Sequence, residues 1–358
     1  MGIRDRRHGG MQSRELADLG LDEDGVIDFS VNCNPYGPSP AVRRAVRECR
    51  WDRYPDPQGA PLKQAIARRT DTDPERIIVG NGAAALMWEL AAVLGKQSRK
   101  VLFVEPVFSE FRTACLARGV TVCEYRAPEA FGFLPDLAEL RRRLQEEQPD
   151  LVYFCQPNSP TGVRTDADDL EALIREFPRS TFLLDFAFLS LSPYGQDAEQ
   201  LRLPGVLRLF SFTKDHSMAG LRAGWLDAPP ELVRAMEGER PCWSINTVAM
   251  AAAIAALDDD GFVEESRRRI FADRRYLRGA LKRIGWVPLD SVTPYFMMRV
   301  GDGSLFRRRL LRRGVLVRDC ASYGLPAWIR LCALPAEQAD RLIQLLREDS
   351  HLQPGETP

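Results

Sequence analysis

Between residues 76 and 230, short, mainly apolar runs alternate with stretches of helical period, and this alternation restricts the possible folds more than any other feature of the chain. The runs are IIVG (77–80), KVLFVE (100–105), VTVCEY (120–125), LVYFC (151–155), TFLLDF (181–186), VLRLF (206–210) and AGWLD (223–227). Segments such as LAELRRRLQEE and ADDLEALIREF fill the gaps, with apolar residues returning every three or four positions. A strand without a polar face has to be covered on both sides. The pattern therefore predicts an α/β fold with a mainly parallel central sheet between layers of helix.

In such sheets ligands bind beyond the carboxyl ends of the strands. The residues there are small and polar: NGAAA after 77–80, PVFSEF after 100–105, QPNSPTG after 151–155, Asp185 near the end of 181–186, and SFTK after 206–210. Residues 233–285 read as one or two long helices. From Trp286 the pattern changes to a small α+β unit, with YFMMRV, VLVRD and WIRLCAL as strands, SLFRRRLLRRG as a helix and another helix over 335–348. A chain of 358 residues exceeds one ordinary core. The expected division is an N-terminal arm with substrate contacts (1–40), a large domain (41–285), a small C-terminal domain (286–350) and a disordered tail (351–358).

Forty-nine basic residues meet 50 acidic ones, and the arginine triplets at 141–143, 267–269 and 307–309 lie in helix-like, mixed-charge surroundings. They read as solvated faces, with no nucleic acid or membrane partner expected. Eight cysteines are scattered without a Cys-x-x-Cys pair, and MGIRDRRHGG lacks the apolar stretch of a signal peptide, which predicts reduced thiols and a cytoplasmic protein. No apolar run approaches the roughly 20 residues that cross a bilayer. With only His8, His216 and His351 available, no metal site is expected.

The chemistry concentrates in SFTKDHSMAGLRAGW, residues 211–225. Lys214 follows a buried strand, directly after the hydroxyls of Ser211 and Thr213, and Arg222 supplies a planar fork suited to phosphate oxygens. A phosphate held beside a lysine amine is the requirement of pyridoxal phosphate. In VGNGAAAL, Gly82 leads into a helix whose first N–H groups, at Ala83 and Ala84, face an anion with the positive end of the helix dipole. Asp185 ends a buried strand, where a carboxylate is costly unless it meets a positive partner. A protonated pyridine nitrogen meets that need.

Taken in order, GNGAAAL, EPVFSEF, QPNSPTG, LLDFAF, SFTKDHSMAGLRAGW and WIRLCAL resemble the fold-type I pyridoxal phosphate enzymes of the class I/II aminotransferase family, over almost the whole chain. The resemblance implies roles residue by residue. Lys214 would be the Schiff-base lysine and Asp185 the partner of the ring nitrogen. Asn158 would bind the ring 3-oxygen, and Phe108 would stack on the ring. Gly82, Ala83, Ala84, Ser211, Thr213 and Arg222 would hold the phosphate. Tyr54, in RYPDPQG, would reach the phosphate of the neighbouring subunit's cofactor, making the active unit a homodimer.

Within that family the chain resembles threonine-phosphate decarboxylases and their sisters, the histidinol-phosphate aminotransferases. The opening RHGG, the later DFSVNCNP and the segments PCWSINTVA and VLVRDCASYG look like the decarboxylases. The implied reaction is loss of CO2 from O-phospho-L-threonine, giving (R)-1-amino-2-propanol phosphate. Arg330 would grip the substrate carboxylate, with His8, Asn32 and Arg318 as candidates for its phosphate. An aminotransferase of the histidinol-phosphate type is the alternative, and a binding protein without turnover is the second. The sequence also departs from its relatives. Phe188 replaces a frequent tyrosine, which favours the decarboxylase, and Phe186 replaces a carboxylate. Asp215 and His216 follow the lysine; they read as a polar surface turn, the other reading being a proton relay.

Overall fold

The apolar runs pair edge to edge, because strands with two apolar faces have no side to turn to water. The computed structural model describes residues 9–349 and 352. Its strands are β1 (Ile27–Asp28), β2 (Ile77–Gly80), β3 (Lys100–Glu105), β4 (Thr121–Arg126), β5 (Leu151–Cys155), β6 (Thr181–Asp185), β7 (Val206–Ser211), β8 (Gly224–Asp227), β9 (Tyr295–Arg299), β10 (Val315–Leu316), β11 (Arg318–Asp319) and β12 (Trp328–Cys332).

Seven of them form the central sheet, in the order β2-β8-β7-β6-β5-β3-β4. From β3 to β7 the neighbours run parallel, whereas β8 is antiparallel to both β2 and β7. The sheet is thus mixed. Between Ser211 and Gly224 there is no helix to carry a crossover, so the chain turns back beside β7.

Alternation along each strand fills two cores. Phe103 and Tyr153 face one side, against Leu86, Leu90 and Phe111. Leu102, Val152 and Phe154 face the other, against Leu140, Leu170 and Leu173. Helices Ala83–Lys96 and Glu110–Ala117 cover the first face, and Leu137–Glu147 and Ala167–Glu176 cover the second. The 233–285 region contains three helices, Pro230–Glu237, Thr247–Leu257 and Asp260–Arg283.

A three-stranded antiparallel sheet, β11-β12-β9, and the parallel pair β1-β10 make the C-terminal unit. VLVRD does not form one strand: it divides between these two sheets. The N-terminal segment is more than an arm, since Phe29 is buried with Leu277, Phe296, Ile329 and Leu331. The predicted disordered tail also needs correction at one position. Leu352 lies in this same core, while the rest of 351–358 falls outside the described residues. Arg307 is a further correction: it is buried, with both terminal nitrogens on the carboxylate of Glu15, so the 307–309 triplet is not a solvated face at its first residue, while Arg308 is exposed. Among the described residues no helix is long and apolar enough to cross a membrane.

Candidate active site

The carboxyl ends of β5, β6 and β7 open, with the start of helix Ala83–Lys96, into a cavity of about 400 Å³. Lys214, three residues beyond β7, lines it. Its backbone is fixed from the N-terminal segment: the Asn34 amide donates to the Lys214 carbonyl (2.8 Å), and Asn34 Nδ2 donates to the Asp215 carbonyl (2.8 Å). Burial holds the Lys214 ammonium below its ordinary pKa, and the guanidiniums of Arg330 and Arg222 push the same way. A larger share of the amine is therefore neutral and nucleophilic at neutral pH.

Asp185 stands at the end of β6 in the same cavity. Burial raises its pKa, against which three things act: the Tyr153 hydroxyl donating to Oδ2 (2.7 Å), the Ala187 amide donating to Oδ1 (3.0 Å), and the charge of Lys214. Nothing in the sequence singles out Tyr153. It looks like one more apolar strand residue, and only the β5-β6 register, Cys155 beside Asp185, puts its hydroxyl on the carboxylate's face.

The helix Ala83–Lys96 starts at Gly82, with φ 81° and no side-chain cap, so its first-turn N–H groups at Ala83 and Ala84 face the cavity. Ser211 Oγ and Thr213 Oγ1 lie 2.7 Å apart beside them. Arg222 closes the cradle: a Cβ placed on Gly82 would stand 2.7 Å from its Nη2. Gly82→Ala is accordingly expected to weaken phosphate-bearing ligands about tenfold, by displacing this guanidinium and straining a left-handed backbone. Titration of ligand affinity in the wild-type and variant proteins checks it.

Arg330 is buried, with Nη1 donating to Ser159 Oγ (3.2 Å) and Nη2 to the Ser30 carbonyl (3.0 Å). No carboxylate pairs with it among the described residues, and its Nε has no partner. Asn32 is buried nearby, its Oδ1 also without one. A buried cation without an anion is costly, and one that lines a cavity awaits an anionic ligand.

Other predicted residues are less simply placed. Phe108 lines the cavity. Asn158 does not: its Nδ2 donates to the Pro106 carbonyl and to Thr161 Oγ1 (both 2.9 Å), and the loop presents Ser159 instead. Arg318 pairs with Arg330 in register but sits behind Tyr323, 5.2 Å from its ring, with Nη2 donating to Ser322 Oγ (2.6 Å). Tyr323, not Arg318, lines the cavity. Tyr54 does not line it; it is 83% exposed and beside the ring of Trp243. His8 lies outside the described residues; the adjoining Gly9 lines the cavity, packed on the Ser30 carbonyl. The surface-turn reading of Asp215 and His216 fails. The Asp215 carboxylate accepts from Ser190 Oγ (3.0 Å), and His216 is 3% exposed against the ring of Phe262.

With this geometry the chain can be set beside known proteins. The family model for aminotransferase class I and II matches residues 24–346. Histidinol-phosphate aminotransferase 1 of Bradyrhizobium diazoefficiens is 30% identical over 333 residues, 91% of this chain and 93% of that one. Its namesake in Thiobacillus denitrificans is 31% identical over 355 residues, 96% and 91% of the two. Among solved structures, histidinol-phosphate aminotransferase from Sinorhizobium meliloti in complex with pyridoxal-5'-phosphate superposes with a TM-score of 0.84, at 25% identity, covering 97% of this chain and 95% of that one. L-threonine-O-3-phosphate decarboxylase from Porphyromonas gingivalis, at 23% identity, shares the fold, with a TM-score of 0.78 over 89% of this chain and 98% of that one.

Proposed function

The chain belongs to the class I and II aminotransferases, a family of pyridoxal 5'-phosphate enzymes, and on that premise we propose that it transfers the amino group of a small phosphorylated amine, histidinol phosphate being the leading candidate. The observation that carries this reading is one cavity holding Lys214, Asp185 and a buried Arg330 that has no carboxylate partner among the described residues, in a chain that follows histidinol-phosphate aminotransferases along nine-tenths of its length. Those relatives favour transamination over the decarboxylation that the N-terminal motifs suggest.

The residues fit the cofactor. The uncapped helix start at Gly82, the Ser211–Thr213 hydroxyl pair and Arg222 form an anion cradle whose close approach needs a glycine. Asp185 would keep the ring nitrogen protonated, and Phe108 would cover a ring face. When bound, pyridoxal phosphate supplies an electron sink for the bond broken at the amine-bearing carbon. Lys214 would hold the cofactor covalently, and its amine would be the group that moves a proton at that carbon. Arg330 clamps a carboxylate of the amino acceptor through its planar fork. Tyr54, exposed beside Trp243, would reach the cofactor phosphate of a second copy, making the active unit a homodimer.

A second reading, decarboxylation of O-phospho-L-threonine, is favoured by one feature of this cavity. Phe188 faces the lysine, its ring centre 5.9 Å from Nζ, with no phenol to offer. The holoprotein given histidinol phosphate with 2-oxoglutarate should form glutamate. Release of CO2 from O-phosphothreonine without glutamate would overturn the first reading in favour of the second, and neither product would sink both. Arg330→Ala should lower kcat/KM about a hundredfold, mainly through KM for the carboxylate substrate, on the scale of one or two charge-assisted hydrogen bonds.

A further inference from the structure

Outside the cavity, across the loop that follows β5, lies a groove of about 810 Å³ whose charge is unbalanced. Helix Asp260–Arg283 turns Arg274, Arg275, Arg278 and Lys282 toward it. Arg278 is paired with Asp290, and Arg164, on the opposite side, is neutralised by Asp197 and Asp166. Arg274 has no ion pair among the described residues: its Nη1 donates to the carbonyls of Ser291 and Thr293, and its Nε has no hydrogen-bond partner there. Arg275 and Lys282 have no ion pair among the described residues. Three cations thus share one concave face whose acidic lining residue, Asp290, is already paired with Arg278.

An ordinary solvated face looks different. On helix Leu137–Glu147, Arg141, Arg142 and Arg143 each meet a glutamate. In the groove the like charges oppose one another instead. Burial, then Arg278 and Arg275, bring the Arg274 pKa down to about 10. The groove also has an apolar side, where Phe131 is 63% and Leu134 44% exposed, next to Leu289. From residue 274 to 282 the helix rises about 12 Å, longer than one phosphate group and suited to a polyphosphate chain.

We propose that this groove binds a nucleoside polyphosphate, with its phosphates on Arg274, Arg275 and Lys282 and its base against Phe131 and Leu134. Phosphate oxygens match guanidinium forks, and the exposed ring offers a stacking surface. The groove also adjoins the active site. Gly162 and Val163 line it, and both are hydrogen-bonded to the backbone of Asn158, next to the Ser159 that supports Arg330.

Calorimetric titration of the holoprotein with ATP tests the proposal, with inorganic tripolyphosphate as the comparison. Cofactor bound in the active site keeps that phosphate cradle filled. ATP is expected to bind, and the double variant Arg275→Ala/Lys282→Ala to bind it at least tenfold more weakly with unchanged cofactor content and basal turnover. Phe131→Ala should weaken ATP but leave tripolyphosphate unaffected. No heat with ATP at millimolar concentration, or equal affinity in the double variant, overturns the site. Equal affinity for ATP and tripolyphosphate overturns the role given to the base.

Discussion

Lys214→Ala is expected to lose turnover by about 10⁴-fold or more, the scale on which enzymes respond to removal of a covalent catalytic group. The variant should also fail to retain the cofactor's visible absorption after gel filtration, and borohydride should fix no cofactor to it. The fold should survive, because the substitution removes a charge that burial disfavours and leaves β7 and its neighbours intact. The wild-type amine carries a second expectation. Its ammonium pKa is lowered, so the neutral form persists to lower pH than in a free lysine, and capture of added pyridoxal phosphate should stay fast at neutral pH. The rate should fall only as pH drops through the lowered value. Stopped-flow absorbance across pH measures this directly. A Lys214→Ala protein with full activity would refute both the covalent role and the family mechanism for this chain.

The parts legible in the sequence were those fixed by local pattern. Strands buried on both faces, such as Lys100–Glu105 and Leu151–Cys155, have apolar interiors whose limits the local pattern marks. The small and polar residues after them marked the sheet edge where Lys214, Asp185, Ala83, Ala84, Ser211, Thr213 and Arg222 converge. What depends on distant packing was not legible. The pairing of Ile27 with Val315 joins the two ends of the chain, and nothing near either residue announces it. Asp215 and His216 look like a solvent turn because they are polar, yet Ser190 and the helix that brings Phe262 enclose them. Asn158 illustrates a third limit. Its motif marks the loop, while the direction of its amide, here toward the Pro106 carbonyl and Thr161 Oγ1, is a matter of rotamer and loop shape that spacing cannot supply. Arg307 failed for the reverse reason, since a basic triplet reads as surface unless the partner carboxylate, Glu15, is known.

Asp185→Asn should cost about 10³-fold in kcat, the range for removing a preorganised charge from a water-excluded site, with cofactor still covalently bound through Lys214. The amide keeps the shape but cannot hold a ring nitrogen in its protonated form. Tyr153→Phe separates the charge of Asp185 from its support. Burial raises the Asp185 pKa, and the Tyr153 hydroxyl is the first of the interactions that oppose this. Without the hydroxyl the pKa rises further. Since the ionised carboxylate is the working form, activity is lost as pH falls through that pKa, and the acid limb of the kcat/KM profile should move to higher pH in Tyr153→Phe. At alkaline pH, where Asp185 is ionised in both proteins, the rates should converge. A uniform loss at every pH would mean that Tyr153 only fills space between β5 and helix Glu110–Ala117, where its ring also packs edge-on against Phe111.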